Sequence, residues 1–263
     1  MQNSQSRSYQ DLWRQIITAL AIATAFVVNV ISNIFPAGGV NIGQISSNTV
    51  FKDVLIIPAS YAFAIWGLIY LGLFAFGIYQ IVPSHKGDED LRQTGYLLAI
   101  ASVAQCVWVY LFLYRLFALS VVAMLLILLP LITIYLRLGV GKKIVNRSKK
   151  WCIHRPMSIY LGWISVATIL NVACALYAQG WNGWGISGKI WTVTMVIIAT
   201  IIAGLIALRS TDIVYPGVTV WALIAIAVKH SNIPSLNIVA IVCAIALVGI
   251  VSVKNLPLLR KNT

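Results

Sequence analysis

Neutral amide, hydroxyl and indole side chains recur at helical spacing inside apolar stretches of this sequence. In a helix, at about 100° per residue, Tyr160, Trp163, Ala167 and Asn171 fall within an arc of roughly 80°. An amide without a partner in hydrocarbon is costly, so we expect Asn171 to face protein or a cavity. Aromatic walls with a few neutral polar groups suit a flat, largely apolar ligand. The pattern therefore predicts binding chemistry.

Two other apolar stretches carry similar pairs. Trp66 and Tyr70 stand at positions i and i+4, and Gln105 and Trp108 at i and i+3, so each pair shares a helix face. Two interpretations remain open. The amides could bond neighbouring helices while the tryptophans fill volume, or the faces could converge on a cavity. The number of such faces favours the cavity.

Ionisable side chains are missing from the middle of the apolar stretches. All six acidic residues and all three histidines fall in loops or near the ends of these stretches. Proton relays and ion-coupled transporters usually need such groups within the membrane. The HExxH and GxSxG motifs are absent, and the four cysteines form no CxxC pair. We therefore expect no catalytic residues, no metal site and no enzymatic activity.

Membrane-spanning helices must position these residues. The chain of 263 residues is 60% hydrophobic and 10% charged, whereas a soluble domain carries about 25% charged residues. A helix crosses the hydrocarbon core with about 20 apolar residues. The candidate spans are residues 14–35, 60–82, 94–114, 116–136, 156–178, 190–208, 213–229 and 236–253. The predicted fold class is an all-α polytopic membrane protein.

The distribution of Lys and Arg predicts the orientation. With both termini in the cytoplasm, 15 of these residues lie inside and 4 outside, which accounts for all 19. The net charge of +13 thus reflects membrane topology, and nucleic acid is excluded as a partner. We expect a multi-pass protein of an inner or plasma membrane, with a thylakoid membrane as the alternative. The basic loop 137–155 is expected to contact anionic lipid.

Composition changes near residue 179, where the loop "AQGWNGWGISGK" is rich in Gly and Trp. We predict a boundary there, with one domain at 1–178 and additional transmembrane helices at 179–263. Trp181, Trp184 and Trp191 are most simply interfacial anchors. The earlier loop 36–60 is either a lid over the outer end of the helices or a plain connector.

Three motifs resemble the TspO/translocator family, also called tryptophan-rich sensory proteins or peripheral benzodiazepine receptors. The segment "YLGWISVATILN" resembles the pattern of the family's fifth helix, although Pro156 is displaced from the tyrosine. Pro58 is followed eight residues later by "WGLIY", which resembles the second-helix pattern. Gln105-x-x-Trp108 stands where the family usually has Asn-x-x-Trp. Ser60 replaces a further family tryptophan, so the motifs agree better on the fold than on porphyrin affinity.

This resemblance implies a five-helix TspO-like bundle, here followed by about three extra helices. Family members bind tetrapyrroles, sterols and aromatic drugs, so the implied ligand is a tetrapyrrole such as protoporphyrin IX or heme, held without a covalent bond. The ligand contacts implied by motif position are Trp66, Tyr70, Gln105, Trp108, Trp163, Ala167 and Asn171. A sensory or regulatory role and a homodimer are further expectations. The alternatives are a transporter of a lipophilic or neutral solute and a porphyrin-degrading enzyme.

Overall fold

The computed structural model describes residues 2–45, 51 and 53–260, and side chains within 9–45, 51 and 53–255. This part of the chain forms eight helices of 16 or more residues and contains no β-strand. They are α1 (Gln2–Ile34), α2 (Ile65–Ile81), α3 (Glu89–Leu113), α4 (Phe117–Leu138), α5 (Arg155–Ala178), α6 (Gly188–Arg209), α7 (Val214–Lys229) and α8 (Pro234–Arg260).

Each predicted span corresponds to one of these helices. Seven of the described helices, all but α7, contain a stretch long and apolar enough to cross a membrane. The 16 residues of α7 extend about 24 Å, less than a hydrocarbon core of about 30 Å. The predicted all-α polytopic membrane fold is confirmed.

Several helices extend beyond the apolar stretch that predicted them. α1 begins at Gln2 and α3 at Glu89, ahead of the predicted residues 14 and 94. The Asp88 side chain caps α3 by accepting a hydrogen bond from the backbone N–H of Asp90 at 3.0 Å, and acidic residues stabilise a first turn. Hydropathy locates hydrocarbon-spanning residues, but local capping and polar helix formers decide where a helix begins.

One compact unit, unit 1, comprises Met1–Asn41 and Trp66–Leu161. Within it, α3 packs against both α1 and α4. Polar contacts join α1 to α2, since Gln80 Nε2 donates to the carbonyl of Gln15 at 3.2 Å and Gln15 donates in return to the carbonyl of Gln80. A Cβ added at Gly72 of α2 would lie 3.0 Å from Pro156 Cβ. Glycine therefore permits the close approach of α2 and the start of α5.

The second compact unit, unit 2, comprises Ile42–Ile65 and Gly162–Thr263. Here α8 packs against α6 and α7, and α6 also contacts α7. A Cβ at Gly162 of α5 would lie 3.1 Å from Val218 Cβ in α7. The indole of Trp221 donates to the carbonyl of Ala62 at 3.1 Å, which holds the segment before α2 against α7.

The division between the two compact units falls inside α5, between Leu161 and Gly162. The change in composition near residue 179 does not coincide with this division, because the two parts of α5 pack in different units. The predicted domains 1–178 and 179–263 describe a different partition of the chain and stay a prediction.

Charged side chains in unit 1 form two groups of ion pairs. Asp11, buried within α1, accepts hydrogen bonds from Arg14 at 3.0 Å and from Arg92 at 2.6 and 2.9 Å. Lys149, in the basic loop, bonds both aspartates at the start of α3 at 2.9 Å. The first group satisfies the buried charges of Asp11 and Arg14, which would otherwise be costly. The expected contact of the loop with anionic lipid stays a prediction.

Candidate ligand-binding sites

Three predicted ligand contacts meet in unit 1. Gln105 Nε2 of α3 donates to the hydroxyl of Tyr70 in α2 at 2.5 Å. The hydroxyl of Tyr160 in α5 donates to Gln105 Oε1 at 2.6 Å. Trp66 has its ring centroid 6.0 Å from that of Tyr70 and 6.1 Å from that of Tyr160. We call these four residues (Trp66, Tyr70, Gln105 and Tyr160) the aromatic–amide cluster.

Hydrogen bonds explain how the cluster's polar groups are buried. The exposed fractions of Tyr70, Gln105 and Tyr160 are 3%, 1% and 0%. Gln105 uses its amide nitrogen and its amide oxygen to join the two tyrosines, and the Tyr70 hydroxyl donates onward to the carbonyl of Ala25 at 2.9 Å. This chain of bonds offsets the desolvation of its members. Trp66 is only half-buried, so part of its indole is accessible.

Trp108 is also in unit 1, where it packs on an aromatic neighbour. Its ring centroid lies 5.5 Å from that of Phe112, and its side chain is buried. Phe112 in turn meets Phe117 edge-on at 5.2 Å. The predicted face carrying Gln105 and Trp108 therefore continues into an aromatic stack at the end of α3.

The other three predicted contacts belong to unit 2. Trp163 is buried and meets Phe63 edge-on, with ring centroids 5.8 Å apart. Its indole Nε1 has no acceptor among the described residues. Ala167 is half-buried, and Asn171 is buried and has a partner. The convergence of all seven predicted contacts on one ligand stays a prediction.

Two polar residues near the predicted contacts were missing from the predicted set. Tyr160 lies on the same helical face as Trp163, and that spacing was the signal for it. Ser102 precedes Gln105 by three residues in α3, and its buried hydroxyl has no partner among the described residues. A lone serine in an apolar helix gives little signal, because it usually bonds its own backbone.

A cavity of about 570 Å³ lies within unit 2. Its walls come from residues 53–56, from the C-terminal half of α5 and from residues 181–195, which include the start of α6. We call it the α5–α6 cavity. Its lining is mainly apolar and includes none of the seven predicted contacts. Part of the loop 36–60 is thus a cavity wall as well as a connector.

The polar groups of this cavity have defined partners. Thr168 and Thr192 donate to carbonyls of their own helices at 2.7 and 2.8 Å. Asp53 Oδ2 accepts a hydrogen bond from the Tyr177 hydroxyl at 3.0 Å. Asp53 is the one charged side chain among the described residues that line the cavity.

Trp181, Trp184 and Trp191, the tryptophan triad, pack against one another beside this cavity. Their ring centroids lie 5.3 to 5.9 Å apart. The Trp191 indole donates to the carbonyl of Gly183 at 3.0 Å, and both Trp181 and Trp191 line the cavity. Trp184 is 76% exposed and has a left-handed φ of 54°. Two of the three predicted anchors are therefore cavity walls.

The two regions present different chemical groups. Within the described residues, no group of three or more His, Cys, Asp or Glu side chains is arranged to hold a metal ion. The aromatic–amide cluster presents the half-buried indole of Trp66, since its polar groups are buried and bonded to one another or to the backbone. The α5–α6 cavity offers volume, aromatic rings and one carboxylate.

The chain matches a known protein family. A family model described as TSPO-like protein matches residues 15–253. No curated protein and no solved structure matches the chain. The matched region continues well past residue 178, so it includes α6, α7 and most of α8 as well as the helices that carry the sequence motifs.

Proposed function

The chain belongs to the TSPO-like family, and from that premise we propose that it binds a flat hydrophobic ligand within the membrane. The proposed ligand is a tetrapyrrole such as protoporphyrin IX or heme, held without covalent attachment. The proposed role is sensory or regulatory and does not include catalysis. Both termini are proposed to lie in the cytoplasm, because most Lys and Arg residues then lie inside.

The observation that carries this proposal is the arrangement of the aromatic–amide cluster. The half-buried Trp66 stands against two tyrosines whose hydroxyls are joined by Gln105. An indole face supplies stacking area for a planar macrocycle. The buried hydrogen-bond chain fixes the tyrosine rings, so the surface offered by Trp66 is preorganised.

Unpaired buried donors give further support. The Trp163 indole N–H and the Ser102 hydroxyl have no partner among the described residues. A buried donor without a partner costs about 1–3 kcal/mol. A ligand with nitrogen or carboxylate acceptors that reached either donor would recover part of that cost.

The test titrates protoporphyrin IX into the full chain in lipid nanodiscs. Binding is measured by the shift of the porphyrin absorbance band. Trp66→Phe is expected to weaken binding about three- to tenfold, because the indole supplies the larger stacking surface. Trp163→Phe in unit 2 is a separate test of a second predicted contact, and a loss of affinity there would support that prediction. Trp13→Phe is the matched control, because Trp13 is 60% exposed.

Equal affinity for the wild type, Trp66→Phe and Trp163→Phe would show that the proposed contacts are wrong. The same absorbance spectra distinguish binding from degradation. A bound porphyrin keeps a stable band in the light, whereas an enzyme that degrades porphyrin would bleach it faster than empty nanodiscs do.

A further inference from the structure

The α5–α6 cavity is a second site with chemistry unlike that of the aromatic–amide cluster. Small-molecule sites usually enclose about 300–1,000 Å³ and are mainly apolar with a few placed polar groups. A volume of about 570 Å³ fits that range. The cavity shares no residue with the aromatic–amide cluster, so what it binds is a separate question.

The body of the ligand must be apolar. Leu55 and Ile56 form the loop wall, and Val172 and Leu176 form the α5 wall. The hydroxyls of Thr168 and Thr192 already donate to helix carbonyls, which leaves them little capacity to donate to a ligand. Burial of hydrocarbon against these walls would supply most of the binding free energy.

The carboxylate of Asp53 determines which head group a ligand of this cavity can carry. Asp53 is exposed, and it receives one hydrogen bond, from Tyr177, among the contacts of the described residues. An ionised carboxylate has about four lone-pair sites, so Asp53 can accept further donors. A ligand carboxylate would instead meet it as a like charge, which disfavours fatty acids and the propionates of tetrapyrroles here.

Aromatic rings on the same cavity complement a cation. Trp181 and Trp191 line it together with Tyr177, and the hydrogen bond from Trp191 to Gly183 fixes that indole. Ammonium groups bind the faces of tryptophan and tyrosine rings, most strongly where water is excluded. The Tyr177 ring is itself held edge-on to Phe51, with centroids 6.0 Å apart.

We propose that the α5–α6 cavity binds an amphiphilic ammonium compound, with its apolar body between the loop and α5 and its cationic head between Asp53 and the indoles. Under the orientation predicted from Lys and Arg, the loop residues that line this site lie on the outer side of the membrane. The ammonium can come from a free hydrophobic amine or from the choline head of a lipid.

The experiment uses three probes with one apolar body: 6-phenylhexylamine, 6-phenylhexanol and 6-phenylhexanoate. Each is titrated calorimetrically into the full chain in phosphatidylglycerol nanodiscs, with empty nanodiscs as the blank. The amine is expected to bind about tenfold more tightly than the alcohol, and the acid is expected to bind most weakly.

Asp53→Asn is expected to bring the amine to the affinity of the alcohol and to leave the alcohol unchanged. Glu89→Gln is the matched control, since Glu89 is an exposed carboxylate in unit 1, and it should keep the preference. Ala173→Phe, which adds a ring to the cavity wall, should weaken all three probes.

Repeating the titration in phosphatidylcholine nanodiscs distinguishes the two sources of the ammonium group, a free amine and a choline lipid. A lipid occupant is indicated if choline lipid weakens amine binding to the wild type but not to Asp53→Asn. A free amine is indicated if the lipid makes no difference. Equal binding of amine and alcohol to the wild type, a preference for the amine that survives Asp53→Asn, or unchanged affinities of all three probes in Ala173→Phe would overturn the proposal.

Discussion

In unit 1, two tyrosines, a tryptophan and a glutamine pack against one another, and Gln105 joins the tyrosine hydroxyls. In unit 2, a tyrosine, two tryptophans and an aspartate border about 570 Å³ of space. The two regions use nearly the same chemical groups. They differ in their polar groups: those of unit 1 satisfy one another and leave an indole face to a ligand, whereas Asp53 in unit 2 keeps hydrogen-bonding capacity for one.

The difference shows where polar side chains stabilise the protein and where they select a partner. A buried hydrogen-bond chain such as that of Gln105 joins three helices, so its loss should lower the free energy of unfolding. An exposed carboxylate such as Asp53 is hydrated when no ligand is bound, so its loss should change which ligands bind rather than how stable the protein is. Paired substitutions in the two units can test this distinction.

The largest effect is expected for Gln105→Leu. The Tyr160 hydroxyl would lose its acceptor while still buried, and Tyr70 would lose a donor, so we expect a loss of about 3 kcal/mol in unfolding free energy. Asn182→Leu at the α5–α6 cavity should cost about 1 kcal/mol or less, because its side chain only caps the N–H of Trp184 at an exposed turn. Denaturant titration of the purified chain measures both, and similar losses would contradict the distinction.

Overpacking should distinguish a filled region from a hollow one. Ala101 is fully buried in α3, so Ala101→Phe should destabilise the protein by about 2 kcal/mol. Ala173 lines the cavity, so the same change there should cost less than about 1 kcal/mol, since the ring can enter existing space. Thermal unfolding in detergent gives the ranking, and a larger loss for Ala173→Phe would show that the cavity closes.

A smaller, pH-dependent effect is expected in unit 2. Burial and the adjacent Lys229 lower the pKa of His230 below its ordinary 6.5, against opposing backbone hydrogen bonds at Leu55 and Ile57. The imidazole of His230 therefore binds a proton more readily in the unfolded chain than in the folded one. The stability that this imidazole contributes is fully present above pH 6.5 and is lost as the pH falls below that value. His230→Gln should reduce this fall between pH 7 and pH 5, measured by thermal unfolding, and an unchanged slope would exclude His230 as its source.

Hydropathy was sufficient to predict the helical fold, since each apolar stretch became one helix. It could not place the starts of α1 and α3, which depend on polar residues and on the cap formed by Asp88. It also could not show that α5 contributes to two compact units. The close contacts of Gly72 with Pro156 in unit 1 and of Gly162 with Val218 in unit 2 carry no hydrophobic signal.

Helical spacing predicted part of the aromatic–amide cluster because Trp66, Tyr70 and Gln105 lie on regular helices. The α5–α6 cavity was not predicted, because Asp53 and Trp181 come from loops that have no period to follow. The sequence also suggested membrane anchors for the tryptophan triad. Anchoring and cavity lining require the same residue type at the end of a span, so composition alone cannot distinguish them.

The tryptophan triad has an optical consequence. Indole rings whose centroids lie 5.3 to 5.9 Å apart in fixed, mutually inclined orientations couple their electronic transitions. The native protein should therefore show near-ultraviolet circular dichroism from this triad without any added label. A molecule entering between α5 and α6 would change that signal at the moment it arrives.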